Sequence, residues 1–125
     1  MKFIKVLYLF LLLFSVVCFA KRVVPIEVAP ISYETIEYST VPWAYENGTN
    51  QNGGYVRAKS KITGKVIWEK QIYITKYRQN IERDVQDVFI TSLKIIEKDN
   101  VLLVETESGE RFRITLDTQY ILKIE

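Results

Sequence analysis

The chain is predicted to be all-β, an antiparallel meander forming a small sandwich or open barrel. Three observations carry that prediction. Short runs rich in Val, Ile, Tyr and Thr alternate apolar with polar residues at period two, the spacing of a half-buried strand. Asn, Gly and Asp turn residues punctuate those runs at regular, short intervals, as in sandwiches and barrels. No stretch after residue 20 has the periodicity of a long amphipathic helix.

Taken in order, residues 21–30 (KRVVPIEVAP) read as an extended lead-in or edge strand, because proline cannot donate to a sheet ladder. Residues 31–41 (ISYETIEYSTV) read as one strand, and their imperfect alternation suggests a bulge near Thr35-Ile36. Residues 42–54 (PWAYENGTNQNGG) form the long irregular stretch, with turn signals at Asn47-Gly48 and Asn52-Gly53-Gly54. Residues 55–61 and 65–77 make a hairpin around Thr63-Gly64. In its second arm Val66, Trp68, Ile72 and Ile74 fall on an apolar face interrupted by Lys70, and Trp68 is a core residue. Residues 78–86 (RQNIERDVQ) are a loop or one helical turn. Residues 87–97 read as a central strand, apolar on both faces at its start. Turns at 98–100, 108–109 and 117–119 then separate strands at 101–107, 111–117 and 120–125, with Phe112, Ile114 and Leu116 facing inward.

Residues 1–20 read as a signal peptide. Lys2 and Lys5 precede a short uncharged apolar run, and Cys18-Phe19-Ala20 ends it with small residues at the cleavage positions. The run is shorter than the roughly 20 apolar residues of a membrane span. The expected product is one domain, residues 21–125, exported to the periplasm or medium, with no stable membrane span after cleavage. The precursor carries 17 Lys+Arg against 15 Asp+Glu, and losing Lys2 and Lys5 balances the two. A neutral domain has no electrostatic attraction for nucleic acid. Cys18, the only cysteine, leaves with the leader, so no disulfide is expected and a packed core must hold the fold.

Ala58, Thr63, Gly64 and Trp68 stand at the spacing of the blade motif of quinoprotein-type (PQQ-like) β-propellers, which the stretch 58–68 resembles. Ser60 stands where that motif has Asp. Weaker echoes lie at 104–112 and 116–122. The resemblance implies a hairpin and, as an alternative architecture, a single propeller-like blade with extra strands. It implies no quinone cofactor, because the chain is too short for the four or more blades of a ring. As a whole the chain is similar to short exported proteins of bacteria.

The chain contains no histidine. That removes Ser-His and Cys-His catalysis and, with the cysteine lost, ordinary zinc and copper sites. No cofactor is expected. Asn80, Glu82, Asp84 and Asp87 gather oxygen-bearing side chains that could join in a calcium site, although Arg83 interrupts them and no glycine tightens the turn; the alternative is a solvated, ion-paired turn. The same carboxylates could form the acid–base pair of a hydrolase. Trp43, Tyr45 and Tyr55 border the Asn/Gly-rich loop, where aromatic rings could stack on a sugar or clasp a partner's side chain; the alternative is that Trp43 closes one end of the fold. The Asn47-Gly48-Thr49 triplet fits a glycosylation sequon, relevant in a eukaryote.

These readings lead to a non-enzymatic binding module outside the cytoplasm, its partner a protein or a carbohydrate, with no catalytic residue. An edge strand open to strand addition is its other expected working surface. Two alternatives stand beside it: a structural envelope component acting as an oligomer, and a small hydrolase using Glu82, Asp84 or Asp87.

Overall fold

The computed structural model describes residues 24–124; the leader read over 1–20 lies outside them. Eight strands form two four-stranded antiparallel sheets. The first holds β1 (Ile31–Tyr33), β2 (Ile36–Thr40), β3 (Tyr55–Ser60) and β4 (Val66–Gln71), in that order. The second holds β5 (Ile90–Ile96), β6 (Val101–Thr106), β7 (Arg111–Thr115) and β8 (Ile121–Ile124), again in chain order. Each sheet is an up-and-down meander. β1 and β2 lie against β5, so the sheets face each other as a sandwich, without closing into a barrel.

Period two decides what fills the space between them. Tyr38 pairs with Ala58, and Ala58 with Trp68, so all three project from one face of the first sheet. Leu102 pairs with Ile114, and Val104 with Phe112, on the facing side of the second. Tyr38, Val56, Ala58, Ile72, Leu102, Val104, Phe112 and Ile114 are buried in one continuous cluster. Each fully buried Val, Leu, Ile or Phe side chain is worth about 1.5–3 kcal/mol, and this apolar layer has no disulfide to help it among the described residues.

Turn chemistry sets the strand lengths. Residues 61–64 and 116–119 make the same turn. In each, the residue before the turn donates to the residue after it (Ser60 N–H to Lys65 O, Thr115 N–H to Tyr120 O, both 2.9 Å). The last turn residue, Gly64 or Gln119, then adopts a left-handed backbone and donates back to Ser60 O or Thr115 O. The third turn residue is threonine in both, Thr63 and Thr118, and its hydroxyl accepts the N–H two residues on. Glycine takes the left-handed conformation freely, whereas Gln119 holds it against steric cost.

Three expectations need correction. The segment 87–97, read as a central strand, gives β5, which begins only at Ile90 and lies at the edge of the second sheet. Residues 31–41 are not one bulged strand. A two-residue turn at Glu34-Thr35, with Glu34 at φ 55°, folds them into β1 and β2, pairing Tyr33 with Ile36. No glycine or asparagine marks that turn. A bulge lies instead at Ala58/Lys59, where the β3–β4 register shifts by one residue. The second arm of that hairpin also stops at Gln71, short of residue 77. The shift exposes Val66 and the early end exposes Ile74, whereas Trp68 packs on the core and tilts against Tyr38, with ring centroids 6.0 Å apart.

Residues 72–89 cross between the sheets. They run extended over 72–77, make the single helical turn α1 (Arg83–Gln86), and return to β5. The Gln86 side chain organises the bend. Its Nε2 donates to Arg78 O, Ile81 O and Glu82 O, and its Oε1 accepts from Arg78 N–H at 2.6 Å. The returning backbone meets the 42–54 loop at Gly53. A Cβ there would stand 2.3 Å from Val88 O, on a backbone at φ +69°, while Gly48 at φ +90° has open space. Gly53→Ala is therefore expected to destabilise the protein by about 3 kcal/mol or more and Gly48→Ala by about 1 kcal/mol, measured by urea unfolding. Equal costs would mean that the loop does not seat on Val88.

Candidate functional site: the Trp43 cleft

The loop after β2 is shaped by what its backbone can bond. Val41 N–H donates to Tyr55 O and extends the β2–β3 ladder by one rung. Pro42 has no N–H to continue it, and its carbonyl accepts from Gly53 N–H at 2.8 Å, closing the base of the loop. A 3-10 turn (Ala44–Asn47) follows, ended by left-handed Gly48. Ala44 is fully buried against Val41 and Tyr55, and the Tyr55 hydroxyl donates to Asn50 Oδ1 at 3.1 Å. Trp43, one residue before Ala44, packs toward Phe89 instead. Its ring meets Phe89 edge-on, centroids 5.5 Å apart, and remains 42% exposed.

Beside Trp43 opens a cleft of about 430 Å3. Val41, Trp43 and Tyr55 line it from the loop side, Phe89 from the end of the crossover just before β5, and Val24 and Ile26 from the lead-in. Among the described residues Glu27 is the only Asp, Glu, Lys or Arg in the lining. The lead-in forms the exposed wall. Among the described residues no backbone hydrogen bond joins 24–30 to either sheet, and Ile26 is 81% exposed.

A polar layer behind the loop holds it in place. Gln51 is buried: its Nε2 donates to Gly53 O at 3.1 Å and Tyr73 O at 3.0 Å, and its Oε1 accepts from Thr75 N–H at 2.7 Å. Asn52 accepts from Tyr45 N–H and donates to Asp87 Oδ2 at 3.3 Å. Tyr77 donates its hydroxyl proton to Asp87 Oδ1. The Arg83 guanidinium lies over the Tyr77 ring at 3.7 Å and the Tyr45 ring at 4.9 Å, and donates to Asn50 O at 2.6 Å. Burial, then the Asp87 hydrogen bond and charge, push the Tyr77 phenol up to about 12. Burial, with the charges of Glu107 and Glu110 beyond it, raises the Tyr73 phenol still further.

The aromatic trio read from the sequence is therefore divided. Trp43 and Tyr55 both line the cleft, but Tyr55 is nearly buried and its hydroxyl is taken. Tyr45 lies outside the cleft, half-exposed beneath Arg83. The acidic run is divided too. Asp87 is 4% exposed with both oxygens engaged, whereas Asn80, Glu82 and Asp84 stand in solvent and Asp84 accepts from Val85 N–H. Among the described residues no three His, Cys, Asp or Glu side chains gather as a metal-holding group. Gln51, Thr40 and Phe89 were not singled out from the sequence, and the lead-in was read as an extended segment or edge strand without its place in the cleft wall. No family model matches the chain, and no curated protein matches it.

Two outcomes are expected. Gln51→Ala strands the buried Tyr73 carbonyl and Thr75 N–H and should cost about 2–4 kcal/mol in urea unfolding; a loss below 0.5 kcal/mol, on the order of an ordinary surface change, would show that the layer does not hold the loop. The tyrosines set an alkaline limit. Their folded pKa values lie above the unfolded one near 10, so the stability they contribute is complete below pH 10 and falls as pH rises through about 12. Urea midpoints should drop over that window, and drop less in Tyr77→Phe; an identical slope in the variant would remove Tyr77 as a cause.

Proposed function

We propose that the protein is a non-enzymatic binding module working outside the cytoplasm, with the Trp43 cleft as its recognition surface. The observation that carries this reading is a half-exposed tryptophan on the wall of a largely apolar cleft. Exposed aromatics on loops held by a rigid sheet are where small β-domains place recognition. The loop is braced from behind by Gln51, Asn52 and Arg83, so Trp43 is positioned before any ligand arrives, which lowers the ordering cost of binding. The leader-like sequence of residues 1–20 supports export to the periplasm or medium. No helix among the described residues is long and apolar enough to cross a membrane. The partner is a protein or a carbohydrate chain, and the balanced charge of residues 21–125 argues against nucleic acid.

A structural, oligomeric role is the second reading. Ile62, Val66 and Ile67 leave an apolar patch at the β3–β4 hairpin that a second chain could cover. Light scattering over a concentration series separates the two, since the binding module is monomeric. The direct test is a screen of peptides and oligosaccharides followed by indole fluorescence. A true ligand should shift the emission of the native protein and of Trp68→Phe, but not that of Trp43→Phe. Trp43→Ala should weaken it at least tenfold, or about 1.4 kcal/mol. A ligand that binds Trp43→Ala as well as native protein would move recognition away from the cleft.

A further inference from the structure

We infer that the cleft takes an extended polypeptide segment, uncharged or basic, added as a strand along the free edge of β2 at Thr40; this rests on the binding reading above. The backbone supplies the argument. Val41 N–H donates to Tyr55 O, and Lys61 N–H donates to Thr35 O. Antiparallel alternation then turns the main-chain groups of Thr35, Glu37, Ser39 and Val41 toward β3, and those of Ile36, Tyr38 and Thr40 toward the other side. There β1 meets Ile36 and Tyr38, through the pairs Tyr33–Ile36 and Ile31–Tyr38, and ends. The next residue in register, Ala29, makes no backbone bond to Thr40. Thr40 therefore presents one N–H and one C=O to the space that it lines together with the lead-in.

The surroundings select the occupant. A main-chain donor and acceptor on one strand edge fit another main chain, which strand addition exploits, with pockets taking alternate side chains. The pockets are apolar: Val41, Trp43 and Phe89 on one side, Val24 and Ile26 on the other. β-branched or aromatic side chains at alternate positions match them. A carbohydrate would need many polar side chains for its hydroxyls, and this wall supplies few. Glu27, the only charged group in the lining among the described residues, repels an acidic segment and favours a basic residue. Among the described residues the lead-in makes no backbone hydrogen bond to the sheets, so it can shift to admit the segment.

The probe is a pool of acetylated, amidated nonapeptides alternating valine or isoleucine with threonine around one central lysine, followed by Trp43 fluorescence. The key variant is Thr40→Pro. It removes the outward N–H while sparing the β2–β3 ladder, because proline is accepted where a strand's N–H faces outward; Thr40→Val, which keeps the N–H, is its control. The inference predicts binding to native protein and Thr40→Val, a loss of about tenfold or more in Thr40→Pro, and a similar loss for peptides N-methylated at alternate residues. The N-methyl arm reads the same contact if Thr40→Pro does not fold. Equal binding to Thr40→Pro and by N-methylated peptides, with loss only in Trp43→Ala, overturns strand addition and leaves the cleft reading standing. Binding of cellohexaose or chitohexaose with no peptide binding overturns it, as does a native dimer that Thr40→Pro renders monomeric, since a second copy then holds the edge.

Discussion

The Gln51 side-chain amide is the contact on which the site depends. Beyond Gln71 the chain leaves β4 and runs extended toward the second sheet, where its backbone groups need partners. Gln51 supplies them from the 42–54 loop. Its amide donates to Tyr73 O and accepts from Thr75 N–H, the i and i+2 groups that a neighbouring antiparallel strand would bond. One side chain thus stands in for a strand. Its remaining proton goes to Gly53 O, which ties the substitute back to its own loop. Because the amide is buried, each bond is made where an unpaired group would be costly.

From that contact the rest of the site follows in sequence. With the loop pinned to 73–75, Gly53 lies close enough to Val88 that a side chain has no room. That approach brings Trp43 to the edge of Phe89 at the start of β5. Arg83, from the crossover, reaches back over Tyr77 and Tyr45 to Asn50 O and secures the loop's far side. The 42–54 loop and the 72–89 crossover, each with no more than a single helical turn, hold each other because they satisfy each other's polar groups. The cleft is what remains at their margin, bounded by the one segment, 24–30, that takes no part in this bonding.

The legibility of the fold and of the site differed for physical reasons. Strands were legible because period two is a local property: Phe112, Ile114 and Leu116 read as inward-facing and are so. Gly64 and Gly109 likewise marked their turns, since positive φ has a sequence signature. The Glu34-Thr35 turn was not legible. A glutamate at φ 55° is held there by the Ile31–Tyr38 and Tyr33–Ile36 pairs, a tertiary override of local preference. The site is made of long-range contacts, which no local pattern encodes. Gln51 looks like one more polar loop residue until Tyr73 and Thr75 are placed beside it. Asp87 sat in an acidic run that suggested a cation or a catalytic pair, yet its partners, Tyr77 and Asn52, lie 10 and 35 positions away. Trp43 was legible only as an aromatic in a long loop; whether it covered the core or faced out depended on Phe89.

The sheet edges give a final reason to regard the cleft as a working feature. An open edge invites uncontrolled pairing, and proteins blunt such edges. Here β1 is three residues long and preceded by Pro30. The β5 register slips between Ile90 and Ser92, and β8 is four residues long with Lys123 on it. At the β4 edge Lys70 folds over to donate its ammonium to Gln119 O. Thr40 has none of these defences. Its outward N–H and C=O sit in a recess between Trp43 and a lead-in whose Pro25 and Pro30 weaken it as a strand. The exposed edge is one residue long and flanked on both sides, which leaves little for a second sheet to pair with and is consistent with the strand addition inferred above.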